Sequence, residues 1–307
     1  MQPPRVSIVV ATWNRSNVLR LSIEAALRST ITDWEMLVIG DACTDDTAEV
    51  VDSFGDPRIR FHNLAVNRGE QSGPNNEGIR LARGRYVAML NHDDLWTPDH
   101  LATCLEAIER EAADLVFTLT LAFDQTNEPF LGGVTGSDRY TPYAFAPAST
   151  WLFRRELFDQ AGPWRAARTM VAVPSQEWLF RAHRMGKRLV AVEKVTVVAV
   201  GSGGRRRSYA DREIELNAAI ARALRDDPGF LHATLTRAAA RATLPSLGFA
   251  VLPHLARAAK NAVRRVIAAA GGNPSTLGFL LRFGGRGAYI DLLRKTRGLS
   301  PLPRHTP

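Results

Sequence analysis

The chain has little cysteine: Cys43 and Cys104 are the only two in 307 residues. Two thiols cannot form a disulfide framework, and their separation is not that of a metal knuckle. A secreted disulfide scaffold and a zinc module are therefore excluded, and a reducing, cytoplasmic compartment is expected. Long apolar runs are also missing. No stretch reaches the roughly 18 residues that cross a bilayer, and the longest, 242–256, is broken by Pro245, Pro253 and His254. The opening MQPPRVSIVVATW has one Arg before a strand-length apolar run, too short for a secretory core, so no signal segment is expected. Glycine is absent from Ala11–Ser16, just after the first apolar run. That excludes the Gly-rich phosphate loop which a dinucleotide oxidoreductase or a nucleotidyltransferase would place there. Acids are nearly absent from the tail: of 39 basic and 31 acidic side chains, 12 and one (Asp291) fall after residue 227, leaving 27 against 30 before it. The net charge of +8 is thus a property of the tail, and the remainder stands at −3.

What is present is an ordinary globular composition, 45% hydrophobic and 23% charged, at a length that suggests one large domain plus an appendage. Up to about residue 122, strand and helix patterns alternate. Strands are predicted at 6–11, 34–39, 58–64, 86–90 and 113–122, and helices at 18–29, 44–54, 73–82 and 98–111. This alternation argues for βαβ units and a mostly parallel sheet. Thr44 is read as the cap of the second helix, with Asp45 and Asp46 in its first turn. Beyond residue 122 the pattern loosens. The segment 132–147 reads as a long Gly/Pro/Ser loop, of the kind more often functional than idle. A strand at 150–153, helices at 155–161 and 176–185 and a strand at 189–200 follow, then a basic link, 201–207. From Asp211 the chain is Ala/Leu/Arg-rich and helical, and Leu255–Ala270 sorts Arg257, Lys260 and Arg264 away from Leu255, Ala259, Val263, Val266 and Ile267. There is no internal repeat.

The most informative segment is Tyr86–Trp96, YVAMLNHDDLW, where a short apolar strand runs into two carboxylates. A strand ending in Asp93-Asp94 fixes acids at the carboxyl edge of a sheet, where ligands of open α/β folds bind. A second role stands beside it for Asp94, namely support of the helix that starts near Thr97-Pro98-Asp99. Three earlier loops follow strand ends in the same way. They are Thr12-Trp13-Asn14-Arg15, Gly40–Thr47 with Asp41 at its head, and Asn67-Arg68-Gly69 followed by Pro74-Asn75-Asn76-Glu77-Gly78.

In order, spacing and content these four loops resemble the family-2 inverting glycosyltransferases, and the resemblance covers roughly residues 5–200. It implies the α/β GT-A fold, a Rossmann-like, mostly parallel central sheet flanked by helices, over residues 1–207, with a basic α-helical C-terminal region at 208–307. It further implies transfer of a sugar from a nucleotide-diphosphate donor to an acceptor hydroxyl on a glycan or lipid-linked oligosaccharide, as in cell-surface polysaccharide synthesis. Thr12, Asn14, Arg15, Asp41, Asn67, Asn76, Asn91, His92 and Asp93 fall where the family binds the nucleotide sugar. Asp93 matches the last acid of the family's Asp-x-Asp motif and is the expected ligand of a divalent cation, Mg²⁺ or Mn²⁺. Asn91 stands where the first acid would be, and Asn75 where the family often has Arg. The family's catalytic base lies at the start of a late helix, where Glu177 is the nearest acid. A core role and a sugar-stacking role are both open for Trp151 and Trp164, the acceptor candidates. The alternative to an enzyme is a non-catalytic nucleotide-sugar or glycan-binding protein with a decayed site. The basic tail suits peripheral contact with an anionic membrane at the inner face of the cell membrane, or plain helical packing. No nucleic-acid partner is expected, since no RNA- or DNA-binding signature accompanies the charge.

Overall fold

The computed structural model describes residues 3–124, 126–200, 206–243, 262–264, 266–267 and 270–303. Four apolar runs, Val6–Thr12 (β1), Trp34–Gly40 (β2), Ile59–Asn63 (β3) and Tyr86–Asn91 (β4), lie parallel in the order β3-β2-β1-β4. They read as near-continuous hydrophobic stretches because helices cover both faces of the sheet. In β1, Val6, Ile8 and Val10 pack with Leu19 and Ile23 of helix α1 (Ser16–Leu27), whereas Val9 packs on the other face with Ile79 of α3 (Ser72–Leu81). This is the alternation that a period of two imposes. Gly78 lets α3 lie close, since a Cβ there would stand 2.4 Å from Val9.

The second half of the sheet is mixed. Asp94–Trp96 (β5), Leu115–Phe123 (β6), Pro129–Gly132 (β7), Trp151–Arg154 (β8) and Leu189–Ala199 (β9) extend the order to β3-β2-β1-β4-β8-β6-β9-β5, with β7 paired to β6. Strand β8 is antiparallel to both β4 and β6, and β6 and β9 are parallel. Helix α4 (His100–Arg110) buries Leu101, Cys104, Leu105 and Ile108 on the α1 face. Helices α5 (Glu156–Ala161) and α6 (Pro174–Arg184) cover the other face. The carboxyl ends of β1, β2 and β4 thus share one edge, and the loops that carry the candidate residues meet there.

Four helices are described after residue 207: α7 (Glu215–Asp226), α8 (Phe230–Thr243), α9 (Pro274–Phe283) and α10 (Ala288–Thr296). Ile220, Ala221 and Ala238 of α7 and α8 share a buried cluster with Leu95, Leu121 and Val198 of the sheet. Most of the amphipathic stretch read at 255–270, and the link as far as residue 205, lie outside the described residues.

Two sequence expectations are corrected. Helix α2 runs Thr47–Asp52 rather than from Thr44, because Asp45 Oδ1 accepts from the Thr47 N–H and hydroxyl and shifts the start by a turn. Asp94 does not cap a helix; it opens β5, paired with Ala199, while Thr97 and Asp99 stand at the start of α4. The segment read as loop from residue 132 is preceded by β7, whose four residues are too short to show a pattern.

Candidate active site

At the shared strand edge lies a cleft of about 290 Å³ whose floor includes Thr12, Trp13, Asp41, Gly69, Asn91, His92 and Asp93. Its loops are braced on one another. Asn14, at φ 48°, accepts the Thr44 N–H at 2.8 Å and the Asp45 N–H at 3.3 Å, and donates to the Thr44 hydroxyl, so loops one and two are stapled by this one side chain. Ala42 is held at φ 57°, a conformation that costs a residue with a Cβ roughly 1–2 kcal/mol. The Asn63 amide offsets that strain by bonding both the N–H and the C=O of Cys43. The result fixes Asp41, which accepts the Arg68 N–H at 2.7 Å and the Gly69 N–H at 2.8 Å, while Asn67 Nδ2 donates to the Asp41 carbonyl. Burial, offset only in part by those two N–H groups, raises the Asp41 carboxyl above its ordinary range. Beside it Glu70, bonded by Ser72, is likewise raised by burial, and the Asp41 charge adds to the effect.

At the other end of the floor the two acids are unequal. Asp94 is buried and accepts from Ser149 Oγ and Asn91 Nδ2; burial first, and the Asp93 charge second, push its carboxyl up to about 7. Asp93 lines the cleft. His92 has its Nδ1 3.2 Å from the Ala11 carbonyl and its Nε2 3.0 Å from the Tyr209 hydroxyl. Burial lowers its proton affinity, so the ring is neutral, donating through Nδ1 and accepting at Nε2. Thr12 Oγ1 is buried at the cleft without a hydrogen-bond partner among the described residues.

No group of three or more His, Cys, Asp or Glu that could hold a metal is found among the described residues. Asp93 alone suits a cation that shares its shell with water and ligand phosphates, since Mg²⁺ is commonly held by one or two carboxylates plus substrate oxygens. His92 and Asn91 have their side chains committed elsewhere, so a cation here would take most of its ligands from water or a bound molecule.

Several candidates serve the scaffold. Asn76 is committed to the backbone of Trp164, donating to its C=O at 2.9 Å and accepting its N–H at 2.8 Å. Arg15 is 1% exposed and donates to the carbonyls of Ser208 and Glu213. Trp151 and Trp164, 0% and 2% exposed, form a cluster with Trp178, so neither presents a face to a sugar. Their acceptor role is corrected to a core one, and spacing could not have told the two apart. Glu177 is not part of the cleft wall; its carboxylate lies 3.1 Å from Arg181 and 3.3 Å from Arg165. Pro174, one turn earlier on the same side of α6, does line the cleft.

The wall that sequence reasoning missed comes from the tail. Tyr209, Tyr289, Ile290, Leu293, Arg294 and Arg297 line the same cleft. Tyr209 stacks on Trp13, with ring centroids 6.5 Å apart and planes at 20°. Arg294 donates to the Gly69 carbonyl and to Ser300 O. Gly69, at φ 76°, is needed here, because a Cβ would stand 2.5 Å from Pro303. Phe145, from the loop read as functional, adds a further part of the rim.

Comparison with known proteins follows the same lines. The model of the family described as Glycosyl transferase family 2 matches residues 7–211. Over 104 residues the chain is 34% identical to the putative colanic acid biosynthesis glycosyl transferase WcaA of Escherichia coli (strain K12), covering 33% of this chain and 37% of that one. It is 30% identical over 106 residues to the Escherichia coli UDP-Glc:alpha-D-GlcNAc-diphosphoundecaprenol beta-1,3-glucosyltransferase WfaP, covering 34% and 42%. The chain thus spans less than half the length of these curated relatives. Residues 1–349 of S. aureus TarS, solved in complex with UDP-GlcNAc, superpose with a TM-score of 0.57 at 16% identity, covering 86% of this chain and 81% of that one. At that identity the likeness is one of fold.

Proposed function

Because the chain belongs to glycosyl transferase family 2, whose model spans about two thirds of it, we propose that it moves a sugar from a nucleotide-diphosphate donor to an acceptor hydroxyl with inversion. The observation that carries this is the cleft itself, with Asp41 at one end and Asp93 at the other along one edge of the GT-A sheet. The raised proton affinity of Asp41 suits an acid that shares a hydrogen bond with a nucleobase N–H. Trp13, stacked on Tyr209, bounds the space between, and Thr12 Oγ1 is a buried hydroxyl waiting for a ligand partner. Asp93 would hold a divalent cation, which when bound would supply charge neutralisation to the leaving diphosphate. The acceptor oxygen attacks the anomeric carbon from the face opposite the diphosphate. The C–O bond to phosphate breaks as the new glycosidic bond forms, and the acceptor proton passes to a carboxylate. Glu177 is our choice of base: it lies one turn along α6 from cleft-lining Pro174, and of its two partners Arg165 is exposed enough to swing away while Arg181 stays to orient the carboxylate.

A lipid-linked acceptor fits the exposed side of the tail. Val263, Val266, Leu280, Leu281 and Leu292 are exposed there among Arg282, Arg286 and Lys295, a mixture suited to an anionic bilayer surface from the cytoplasmic side. Among the described residues no helix is long and apolar enough to cross a membrane. Retention of the chain by anionic but not neutral liposomes at low salt supports this surface, and equal recovery in the supernatant refutes it. The catalytic reading is tested by thermal unfolding with UDP-, GDP- and dTDP-sugars in Mn²⁺, followed by turnover with a lipid-linked acceptor. Absence of any stabilisation, with no released nucleoside diphosphate, refutes it and leaves a binding protein with a decayed site.

A further inference from the structure

Building on the donor reading above, we infer that Arg297, the residue that ends α10, binds the donor diphosphate, so that residues 288–303 are part of the donor site. Arg297 lines the cleft together with His92, Asp93 and Tyr209. Its charge acts on Arg15 and His92, as that of Asp93 does, and also on Arg294, on which Asp41 acts, so it is felt along the length of the cleft. Its guanidinium lies 5.0 Å from the Tyr209 ring centroid, and that of Arg15 lies 4.9 Å from the same centroid. Two like charges on one ring repel. The Arg15 fork is tied to the neutral carbonyls of Ser208 and Glu213, which orient its charge, and the Asp93 carboxylate offsets part of it. An anion in the cleft would offset that repulsion.

The neighbouring arginine shows by contrast what Arg297 is free to do. Arg294 has its Nε and Nη1 taken by the carbonyls of Ser300 and Gly69, so it fastens the tail to the third loop. Arg297 Nε is buried without a hydrogen-bond partner among the described residues. A planar guanidinium matches two phosphate oxygens at once, which a point charge does not. Helix α10 is held in place without any ligand: Arg168 donates to the carbonyls of Leu302 and Pro303, and the Leu302 N–H bonds Asp291. The arginine is therefore presented to the cleft before the donor arrives. The cleft volume of about 290 Å³ lies at the low end for small-molecule sites, as expected of a site whose cover is already docked.

The test is calorimetric titration of the full chain with UDP, GDP and dTDP, each beside its nucleoside monophosphate, in Mn²⁺. Arg297→Ala is expected to weaken the preferred diphosphate by roughly tenfold or more, about 1.4 kcal/mol, and the monophosphate by much less. Arg297→Lys should recover part of the loss. Equal losses for both ligands assign Arg297 a structural role and overturn the inference, as does unchanged diphosphate affinity. Should the Ala variant fail to fold, amide exchange in the wild-type chain decides: α10 amides protected by the diphosphate beyond the monophosphate support the inference, and equal protection overturns it. A wild-type chain that binds none of the diphosphates overturns the donor reading itself, a result distinct from normal wild-type binding with an indifferent variant.

Discussion

Asn76→Ala separates a scaffold residue from a ligand residue. In the folded chain the Asn76 amide completes both backbone groups of Trp164, at 2.9 and 2.8 Å, and Trp164 is 2% exposed, so water does not readily replace it. Two neutral hydrogen bonds are worth about 1 kcal/mol each net, and a buried group left unpaired costs about 1–3 kcal/mol. Allowing for partial relaxation, the loss is about 2–4 kcal/mol, a fall in Tm on the order of 3–6 °C for a chain of this size. Asn76→Asp keeps the shape but turns a carboxylate oxygen toward the Trp164 carbonyl, and a comparable fall is expected. Calorimetric unfolding gives the Tm, and titration with the preferred nucleoside diphosphate gives the affinity, which is expected to stay within about twofold. An unchanged Tm with a tenfold loss of affinity would refute this reasoning and return Asn76 to the ligand.

Three further outcomes follow from the same geometry. Asp93→Asn should abolish the Mn²⁺-dependent part of diphosphate affinity, a loss on the order of tenfold or more; calorimetry with and without EDTA reads it, and an intact metal effect rejects Asp93 as the ligand. Glu177→Gln should lower kcat by about 10²–10⁴-fold at unchanged donor affinity if the carboxylate is the base, whereas a drop in Tm with kcat within a few-fold would leave it only its ion pairs with Arg165 and Arg181. His100 is stacked on Trp96 and lies 2.7 Å from the Thr196 hydroxyl, and burial pushes its pKa down to about 3. The unfolded chain takes this proton first, near pH 6.5, so the contribution of His100 is complete above that pH. It is lost as pH falls toward 3, by up to about 5 kcal/mol. Urea midpoints at pH 7, 5 and 4 should fall less steeply for His100→Gln than for the wild type, and parallel slopes would contradict the assignment.

The first half of the sheet was legible because a parallel strand covered on both faces must be apolar throughout, and Val6–Ala11 or Tyr86–Leu90 has no other use for such a run. The site loops were legible for the same reason, since each follows a strand end. What spacing does not carry is the direction of a side chain. Asn14, Arg15, Asn67 and Asn76 stand where nucleotide contacts were expected, yet each reaches a backbone group of the chain itself. Strand β5, three residues long, was hidden for another reason: Asp94-Leu95-Trp96 reads as a helix approach until Val197–Ala199, a hundred positions later, supplies its partner.

The tail was read by its charge, and charge is where sequence reasoning was least able to see. A helix with arginines is ordinarily taken to turn them to water. Along α10 and the Arg297 that ends it, the positions that line the cleft, Tyr289, Ile290, Leu293, Arg294 and Arg297, recur at helical spacing, while Leu292 and Lys295 between them are exposed. Two of the tail's arginines therefore face inward, over acids whose own charge needs company, and an apolar side chain faces out. Arg15 meets Ser208 and Glu213, and Gly69 meets Arg294, across separations of 193, 198 and 225 positions. Contacts of that range leave no periodic trace, and only the fold reveals that the basic excess partly completes an acidic cleft. The same helix then turns arginines to the cleft and leaves Leu292 exposed on its other side, and the net charge of the tail describes neither arrangement.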